Sequence, residues 1–183
     1  ARPQGHLGTF SGVALLAADT MRSRGYAQAL AGHGAQLGRV VIVKVPGNAQ
    51  RWGQSEAIPK SHGSLGEYFL PDLTIPLEET CKSISEDILV LQTGTINSLE
   101  VAAALPSDTF EFTIYSGFGG ELVQRDVLEA CPPLLHMHAG WLPDYRGSTT
   151  TYYSWINEGV CGVSAIFLTA DIDTGAILSR KQY

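Results

Sequence analysis

The segment Ser11-Gly12-Val13-Ala14-Leu15-Leu16-Ala17-Ala18 is a short, continuous apolar run near the amino terminus. Such a run is typical of a strand that is buried on both faces of a parallel sheet. After Thr20 the apolar residues recur at helical spacing until Gly32 or Gly34, which can end the helix. Residues 39–45 then form a β-branched run. This strand–helix–strand order predicts a doubly wound α/β sheet.

The rest of the chain continues the alternation of strands and helices. Further strands are predicted at residues 87–93, 110–115, 134–138, 162–168 and 176–183, and helices at residues 96–105, 124–130 and 152–159. Prolines and glycines interrupt residues 46–84, so we expect one short helix and an excursion there. The whole pattern predicts an α/β fold with a Rossmann-like, open and mostly parallel sheet and helices on both faces, in a single domain over residues 1–183.

Charge and composition exclude some classes of partner. The chain has 12 Lys and Arg against 18 Asp and Glu, a net charge of −6, which disfavours nucleic acid as a partner. Its apolar runs are far shorter than the ~20 residues that cross a membrane, so we expect no membrane contact. The three cysteines, Cys81, Cys131 and Cys161, are odd in number and widely spaced. They are expected to be reduced thiols in a cytoplasmic protein.

The densest group of chemically useful side chains is Leu135-His136-Met137-His138-Ala139-Gly140-Trp141-Leu142-Pro143-Asp144-Tyr145-Arg146-Gly147. Its two histidines are two positions apart, so they share one face of the predicted strand, at the edge where open α/β sheets keep their sites. A later loop, Asp171-Ile172-Asp173-Thr174-Gly175, carries two carboxylates. A histidine and a carboxylate from separate loops suit general base chemistry, because the carboxylate orients the imidazole.

These two segments resemble the formyltransferase family, which includes methionyl-tRNA formyltransferase, glycinamide ribonucleotide transformylase and amino-sugar N-formyltransferases. The family signature is Asn-x-His-x-Ser-Leu-Leu-Pro, then Arg or Lys with Gly, and about 35 residues later Asp-x-Gly-x-Ile. Here the matching text is His-Met-His-Ala-Gly-Trp-Leu-Pro-Asp-Tyr-Arg-Gly and Asp-Thr-Gly-Ala-Ile, with 35 positions from His138 to Asp173. The resemblance is plain over residues 110–183 and plausible over the opening strand–helix–strand unit.

The resemblance implies an enzyme, an N-formyltransferase that moves a formyl group from N10-formyltetrahydrofolate to the amine of a small molecule such as an amino sugar or amino acid. An amine would attack the formyl carbon, and a donor placed at the developing oxyanion contributes ~3–4 kcal/mol. By position, His138 corresponds to the family histidine, which would donate and carry the proton. Asp173 corresponds to the family aspartate, which would hold His138 or relay the proton of the amine.

The chain departs from the family at residue 136, where His136 replaces the asparagine. An amide always presents a donor, whereas an imidazole nitrogen donates only in the right tautomer or when protonated. Three interpretations stay open. In the first, His136 stands in for the donor in a pH-sensitive enzyme that needs no metal. In the second, the chain is a catalytically altered or inactive protein that binds folate or a formyl metabolite. In the third, His136, His138 and Asp173 hold a metal in a hydrolase.

The resemblance also places the folate between two loops. The first loop can bring its main chain close to a flat ring because it is rich in glycine; it comprises Phe118, Gly119, Gly120, Glu121 and Leu122. The second wall of the site comprises Leu168, Thr169, Ala170 and Asp171.

Three arginines are candidates for binding the acceptor. Arg22 and Arg24 lie at the start of the first predicted helix, where they could grip an anionic group, although a solvated surface pair explains them equally well. Arg146 lies in the loop after the histidines. The chain ends ten residues after Asp173, so we expect the domain to lack the carboxyl-terminal extension of the family, and initiator tRNA is not the expected substrate. The sequence leaves the oligomeric state open.

Overall fold

The computed structural model describes residues 8–47, 63–65 and 68–183. The strands are β1 Gly8–Ala18, β2 Ala35–Val43, β3 Gly63–Leu65, β4 Tyr68–Leu70, β5 Ile88–Leu91, β6 Phe112–Ser116, β7 Leu134–His138, β8 Gly162–Phe167 and β9 Ile177–Gln182. The helices are α1 Met21–Gly32, α2 Leu77–Cys81, α3 Leu99–Ala104, α4 Arg125–Ala130 and α5 Thr150–Glu158. Each predicted element is found, with its ends displaced by a few residues. In the irregular stretch, α2 is the expected short helix and β3–β4 a hairpin, while residues 48–62 and 66–67 lie outside the described residues.

Seven strands form one sheet in the order β5-β2-β1-β6-β7-β8-β9. The first five strands in this order are parallel to one another, and β8 runs antiparallel to both of its neighbours. β3 and β4 pair separately as an antiparallel hairpin. The expectation of an open, mostly parallel α/β sheet is therefore confirmed.

Helices cover both faces of the sheet. β1 is fully buried over residues 13–18, and its side chains alternate between two apolar cores. One core includes Leu15, Ala27 of α1 and Leu77 of α2. The other core includes Leu16, Val101 of α3, Val127 of α4 and Phe118. The continuous apolar run of β1 is thus explained by burial on both sides.

Between β1 and β6 the chain reverses its direction of travel across the sheet. β2 and β5 lie on one side of β1, whereas β6 and β7 lie on the other, so α1 and the loop after β6 diverge at this point. The first turn of α1 is tied to the end of β6: Ser23 Oγ is 3.1 Å from the Ser116 carbonyl oxygen, and Arg22 Nη2 donates to the Gly117 carbonyl at 2.6 Å. Ligands bind open α/β sheets beside such a switch point.

The three cysteines are free thiols. Burial raises the pKa of Cys81 to about 12 and that of Cys131 to about 11, so neither thiol ionises near neutral pH. Within residues 8–47, 63–65 and 68–183, every helix is too short or too polar to cross a membrane.

The pairing of β1 with β2 leaves no room for a side chain at Gly38. A Cβ atom there would lie 2.1 Å from the Ser11 carbonyl oxygen. We expect Gly38→Ala to lower the free energy of unfolding by about 1–3 kcal/mol, because backbone must move to relieve the overlap. Gly25→Ala in α1 is the control: its Cβ would meet Pro71 at an ordinary 3.5 Å, and alanine favours the helix. Urea denaturation of both variants measures the difference, and equal stability would contradict the described strand pairing.

Candidate active site

The end of β7 and the loop after β8 bring His138 and Asp173 together. His138 Nδ1 lies 3.4 Å from Asp173 Oδ1, and the two side chains are only 6% and 11% exposed. The side chains are 35 positions apart in sequence and meet because β8 folds back beside β7. The structure therefore provides the histidine–carboxylate pair that the spacing of the two motifs predicts.

Both members of this pair also bind the backbone of the loop between β7 and α5. His138 Nε2 donates to the Tyr145 carbonyl at 2.8 Å, and Asp173 Oδ2 accepts from the Gly147 amide at 2.8 Å. Because a carbonyl can only accept, Nε2 must carry a hydrogen. Nδ1 is then the ring nitrogen that faces Asp173 Oδ1, so a proton carried by either atom would lie between the two side chains.

Glycines and a strained turn give the pair its geometry. Asp173 has a φ of +51°, a left-handed conformation that a non-glycine residue seldom adopts. At Gly140, a Cβ atom would lie 2.6 Å from both His138 Nε2 and the Tyr145 carbonyl oxygen. At Gly175, a Cβ would lie 1.6 Å from the Phe167 carbonyl oxygen. The site therefore depends on two glycines as well as on its polar side chains.

Sequence reasoning missed the residues that support the loop. Ser164 Oγ accepts from the Leu142 amide at 3.0 Å and donates to the Gly140 carbonyl at 2.7 Å. The Tyr145 hydroxyl donates to Glu158 Oε1 at 2.6 Å. Nothing in the local sequence marks these contacts, because they depend on how β8 and α5 pack beside the loop.

His136 lies next to the pair and has a different environment. Its ring centroid is 5.8 Å from that of Tyr115 and 6.5 Å from that of His138. Nδ1 of His136 is buried and has no hydrogen-bond partner among the described residues. Burial above all, and then the positive charge of Arg22, lower the pKa of His136 to about 4, although the Asp173 carboxylate acts in the opposite direction. His136 is therefore neutral at pH 7, and its titration lies well below the neutral range that a pH-sensitive donor would require.

The metal-binding interpretation finds no support in this geometry. Within the described part of the chain, no three His, Cys, Asp or Glu side chains come close enough together to hold a metal ion. The set of His136, His138 and Asp173 therefore does not fit a metal ion.

The first predicted folate loop is held in shape by a residue outside it. Asn97 Nδ2 donates to the Leu122 carbonyl at 2.8 Å and lies 3.5 Å from Glu121 Oε1, which the Thr95 hydroxyl also contacts. Gly120 turns the loop with a φ of +75°. The Phe118 side chain is buried in the core, so only its main chain can face a ligand.

The second predicted wall starts at the other end of β7. Because β8 is antiparallel to β7, the Leu168 amide binds the Leu134 carbonyl at 2.8 Å, at the beginning of β7. The chain then returns to place Asp173 beside His138. Between these two points Thr169, Ala170 and Asp171 are exposed.

Arg22 and Arg24 have different surroundings. Arg22 is exposed and donates to Gly117 at the end of β6. Arg24 donates to the Leu73 carbonyl at 2.7 Å and lies 3.7 Å from Asp19 Oδ1, so the fold itself uses its charge. Neither side chain is a freely solvated arginine.

Arg146 is exposed in the loop that the His138–Asp173 pair binds. It lies between Tyr145, whose carbonyl contacts His138, and Gly147, whose amide contacts Asp173. The pair therefore holds the backbone on both sides of Arg146.

Comparisons with known proteins agree with this architecture. The chain is 31% identical over 94 residues to methionyl-tRNA formyltransferase of a Nitratiruptor species, a match that covers 51% of this chain and 30% of the relative. It is also 31% identical over 101 residues to the same enzyme of Levilactobacillus brevis, covering 54% of this chain and 32% of the relative. The matches thus span about a third of the length of these enzymes. No protein-family model matches the chain.

Solved structures share the fold over nearly the whole chain. Glycinamide ribonucleotide transformylase 1 from Symbiobacterium toebii superposes with a TM-score of 0.59 at 17% identity, covering 98% of this chain and 74% of that one. Phosphoribosylglycinamide formyltransferase from Bacillus halodurans gives 0.58 at 18% identity, covering 93% and 78%. The chain therefore has the fold of these formyltransferases. In sequence it is similar to part of the methionyl-tRNA formyltransferases.

Adding a methyl group at Gly140 tests whether the loop after β7 packs against His138. We expect Gly140→Ala to break the His138–Tyr145 hydrogen bond and to lower the free energy of unfolding by about 1–3 kcal/mol, because the new methyl group overlaps both partners. Gly32→Ala is the matched control, since its Cβ would meet nothing within 4 Å. Thermal denaturation compares the two variants. An unchanged melting temperature for Gly140→Ala would show that the loop does not close on His138.

The lowered pKa of His136 predicts an acid-sensitive stability. Between pH 6.5 and 4 the unfolded chain binds a proton at this residue whereas the folded chain does not, so stability falls as pH falls through this window. The loss from this residue is about 2 kcal/mol at pH 5 relative to pH 7.5. We expect His136→Asn to lack this part of the loss, as measured by urea denaturation at the two pH values. Equal losses in both proteins would contradict a buried neutral imidazole.

Proposed function

We propose that the chain is the catalytic domain of an N-formyltransferase that moves a formyl group from N10-formyltetrahydrofolate to the amine of a small molecule. The observation that carries the proposal is the nearly buried His138–Asp173 pair with the neutral imidazole of His136 beside it, at the end of β7 in a formyltransferase fold. Its relatives and structural neighbours named above are formyltransferases, which supports the same reaction class.

The residues present fit a formyl folate. Gly120 forms an open turn after β6 where a Cβ would meet nothing, and Asn97 fixes the loop from outside. Nδ1 of His136 is a buried polar atom without a partner among the described residues, as expected of a group that awaits a ligand. When bound, the folate supplies an activated formyl group. Main-chain atoms of Gly119 and Gly120 would hold the ring, because glycine permits close approach.

The transfer moves one proton, in net, from the acceptor nitrogen to the donor nitrogen. The His138–Asp173 pair is nearly buried and sets an imidazole nitrogen against a carboxylate oxygen, an arrangement suited to giving and taking a proton. His136 offers a hydrogen bond without introducing a charge, as the amide of an asparagine would. His138 can reach a substrate through Nε2 only when the Tyr145 carbonyl gives up its hydrogen bond.

A small acceptor amine, such as an amino sugar or amino acid, suits the surface charges better than nucleic acid does. The net charge of −6 opposes a phosphate backbone. Arg22 and Arg146 are exposed and lie next to the site, so either can contact an anionic group of the acceptor. Arg24 is held within the fold and contributes less. The three free thiols support a cytoplasmic location.

Transfer can be measured directly by NMR. The protein is mixed with N10-formyltetrahydrofolate that carries a 13C-labelled formyl group and with a panel of amino sugars and amino acids. We expect labelled formamide from one class of amine, a loss of roughly 10²-fold or more in His138→Ala and Asp173→Asn, and a smaller loss in His136→Asn. Leu99→Ala, a surface change on α3, is the control.

Three outcomes of this assay are distinct. Full activity in His138→Ala would contradict the proposed site. Binding of the folate with no transfer to any amine, under single-turnover conditions, would favour a folate-binding protein without activity. Loss of activity in the Leu99→Ala control would show that the assay reports stability.

A further inference from the structure

Helix α5 presents its large apolar side chains to solvent and its small hydroxyl side chains to the fold. The inward residues are buried; they are Thr150 and Ser154. The outward residues are among the most exposed apolar side chains described; they are Tyr152 at 67%, Tyr153 at 59%, Trp155 at 64% and Ile156 at 80% exposed. An ordinary surface helix has the opposite arrangement, with its apolar stripe facing the core. We call these four residues the α5 face.

The orientation of α5 is fixed by hydrogen bonds on its inner side. Thr150 Oγ1 donates to the Ala139 carbonyl at 2.6 Å, and Thr151 Oγ1 donates to the same oxygen at 2.9 Å. Ser154 Oγ donates to the Thr151 carbonyl at 3.1 Å. Rotating α5 to bury its aromatic residues would break the bonds to Ala139. The exposure of the α5 face is therefore part of the fold.

The α5 face is continuous and uncharged. At 100° per residue, positions 152, 153, 155 and 156 cover about 160° of the helix surface. Residues 150–157 contain no charged side chain. Four such side chains present roughly 500 Å² of largely apolar surface, which is at the upper end of what a monomeric protein exposes.

We propose that the α5 face is the centre of an interface between two copies of this chain. A two-fold axis at residue 154 would set the helices antiparallel and pair Tyr152 with Ile156, and Tyr153 with Trp155, of the partner. The face is thus complementary to itself, as a symmetric dimer requires. Its roughly 500 Å² is the apolar centre of the ~800 Å² per partner that a stable interface buries. Because the centre is uncharged, the net charge of −6 on each copy does not place like charges in contact there.

Sedimentation velocity over about 1–100 μM protein tests this interface. We expect the 183-residue chain to form a concentration-dependent dimer and Trp155→Glu to weaken the dimer at least about 100-fold, because each copy would bury an unpaired carboxylate against an uncharged face of the partner. Leu99→Glu is the matched control: Leu99 is an exposed apolar residue on α3, 88% exposed, and its replacement should leave the dimer intact. Circular dichroism checks that each variant is folded.

The remaining outcomes overturn the proposal. A wild-type chain that stays monomeric at 100 μM would assign the α5 face to a different partner. A dimer that survives Trp155→Glu, or that Leu99→Glu disrupts equally, would place the interface elsewhere.

Discussion

Burial of β1 on both faces is the constraint on which the rest of the structure depends. β1 pairs with β2 on one side and β6 on the other, and its side chains supply both apolar cores. With β1 in the centre, the chain leaves in opposite directions after β1 and after β6, and this switch point lies at the carboxyl ends of β1 and β6, where open α/β sheets bind ligands. The position of the site is therefore a consequence of how the apolar run of β1 is covered.

The contact between His138 and Asp173 depends on β8, which is antiparallel to both of its neighbours in the main sheet. Because β8 is antiparallel to β7, the loop after β8 begins at the far end of β7 and returns along it, which places Asp173 at His138. The same region holds two imidazoles in different surroundings. His138 faces the Asp173 carboxylate, whereas burial and Arg22 lower the pKa of His136 and keep it neutral. A histidine–carboxylate pair and a neutral imidazole thus lie side by side.

Much of this arrangement is predictable from local sequence, and the rest depends on contacts between distant segments. Alternation and apolar runs predict each strand of the main sheet, and the two-residue spacing places His136 and His138 on one face. The roles of Tyr145, Ser164 and Asn97 are not predictable from the sequence. Their hydrogen bonds involve backbone groups, which are the same in every residue type and so leave no pattern in the sequence. The orientation of α5 is not predictable from the sequence either. Helical spacing shows that the apolar residues share one face of the helix, but it does not show which face packs against the rest of the fold.

The proposed function requires that the carboxyl end of β7, beside His136 and His138, binds a formyl folate. Isothermal titration with 5-formyltetrahydrofolate, a stable analogue of the formyl donor, tests it most directly. We expect saturable binding of one ligand per chain, weakened at least about tenfold, or about 1.4 kcal/mol, by Gly120→Val and not by Gly32→Ala. No binding at millimolar ligand, or equal binding by the Gly120→Val variant, would contradict it.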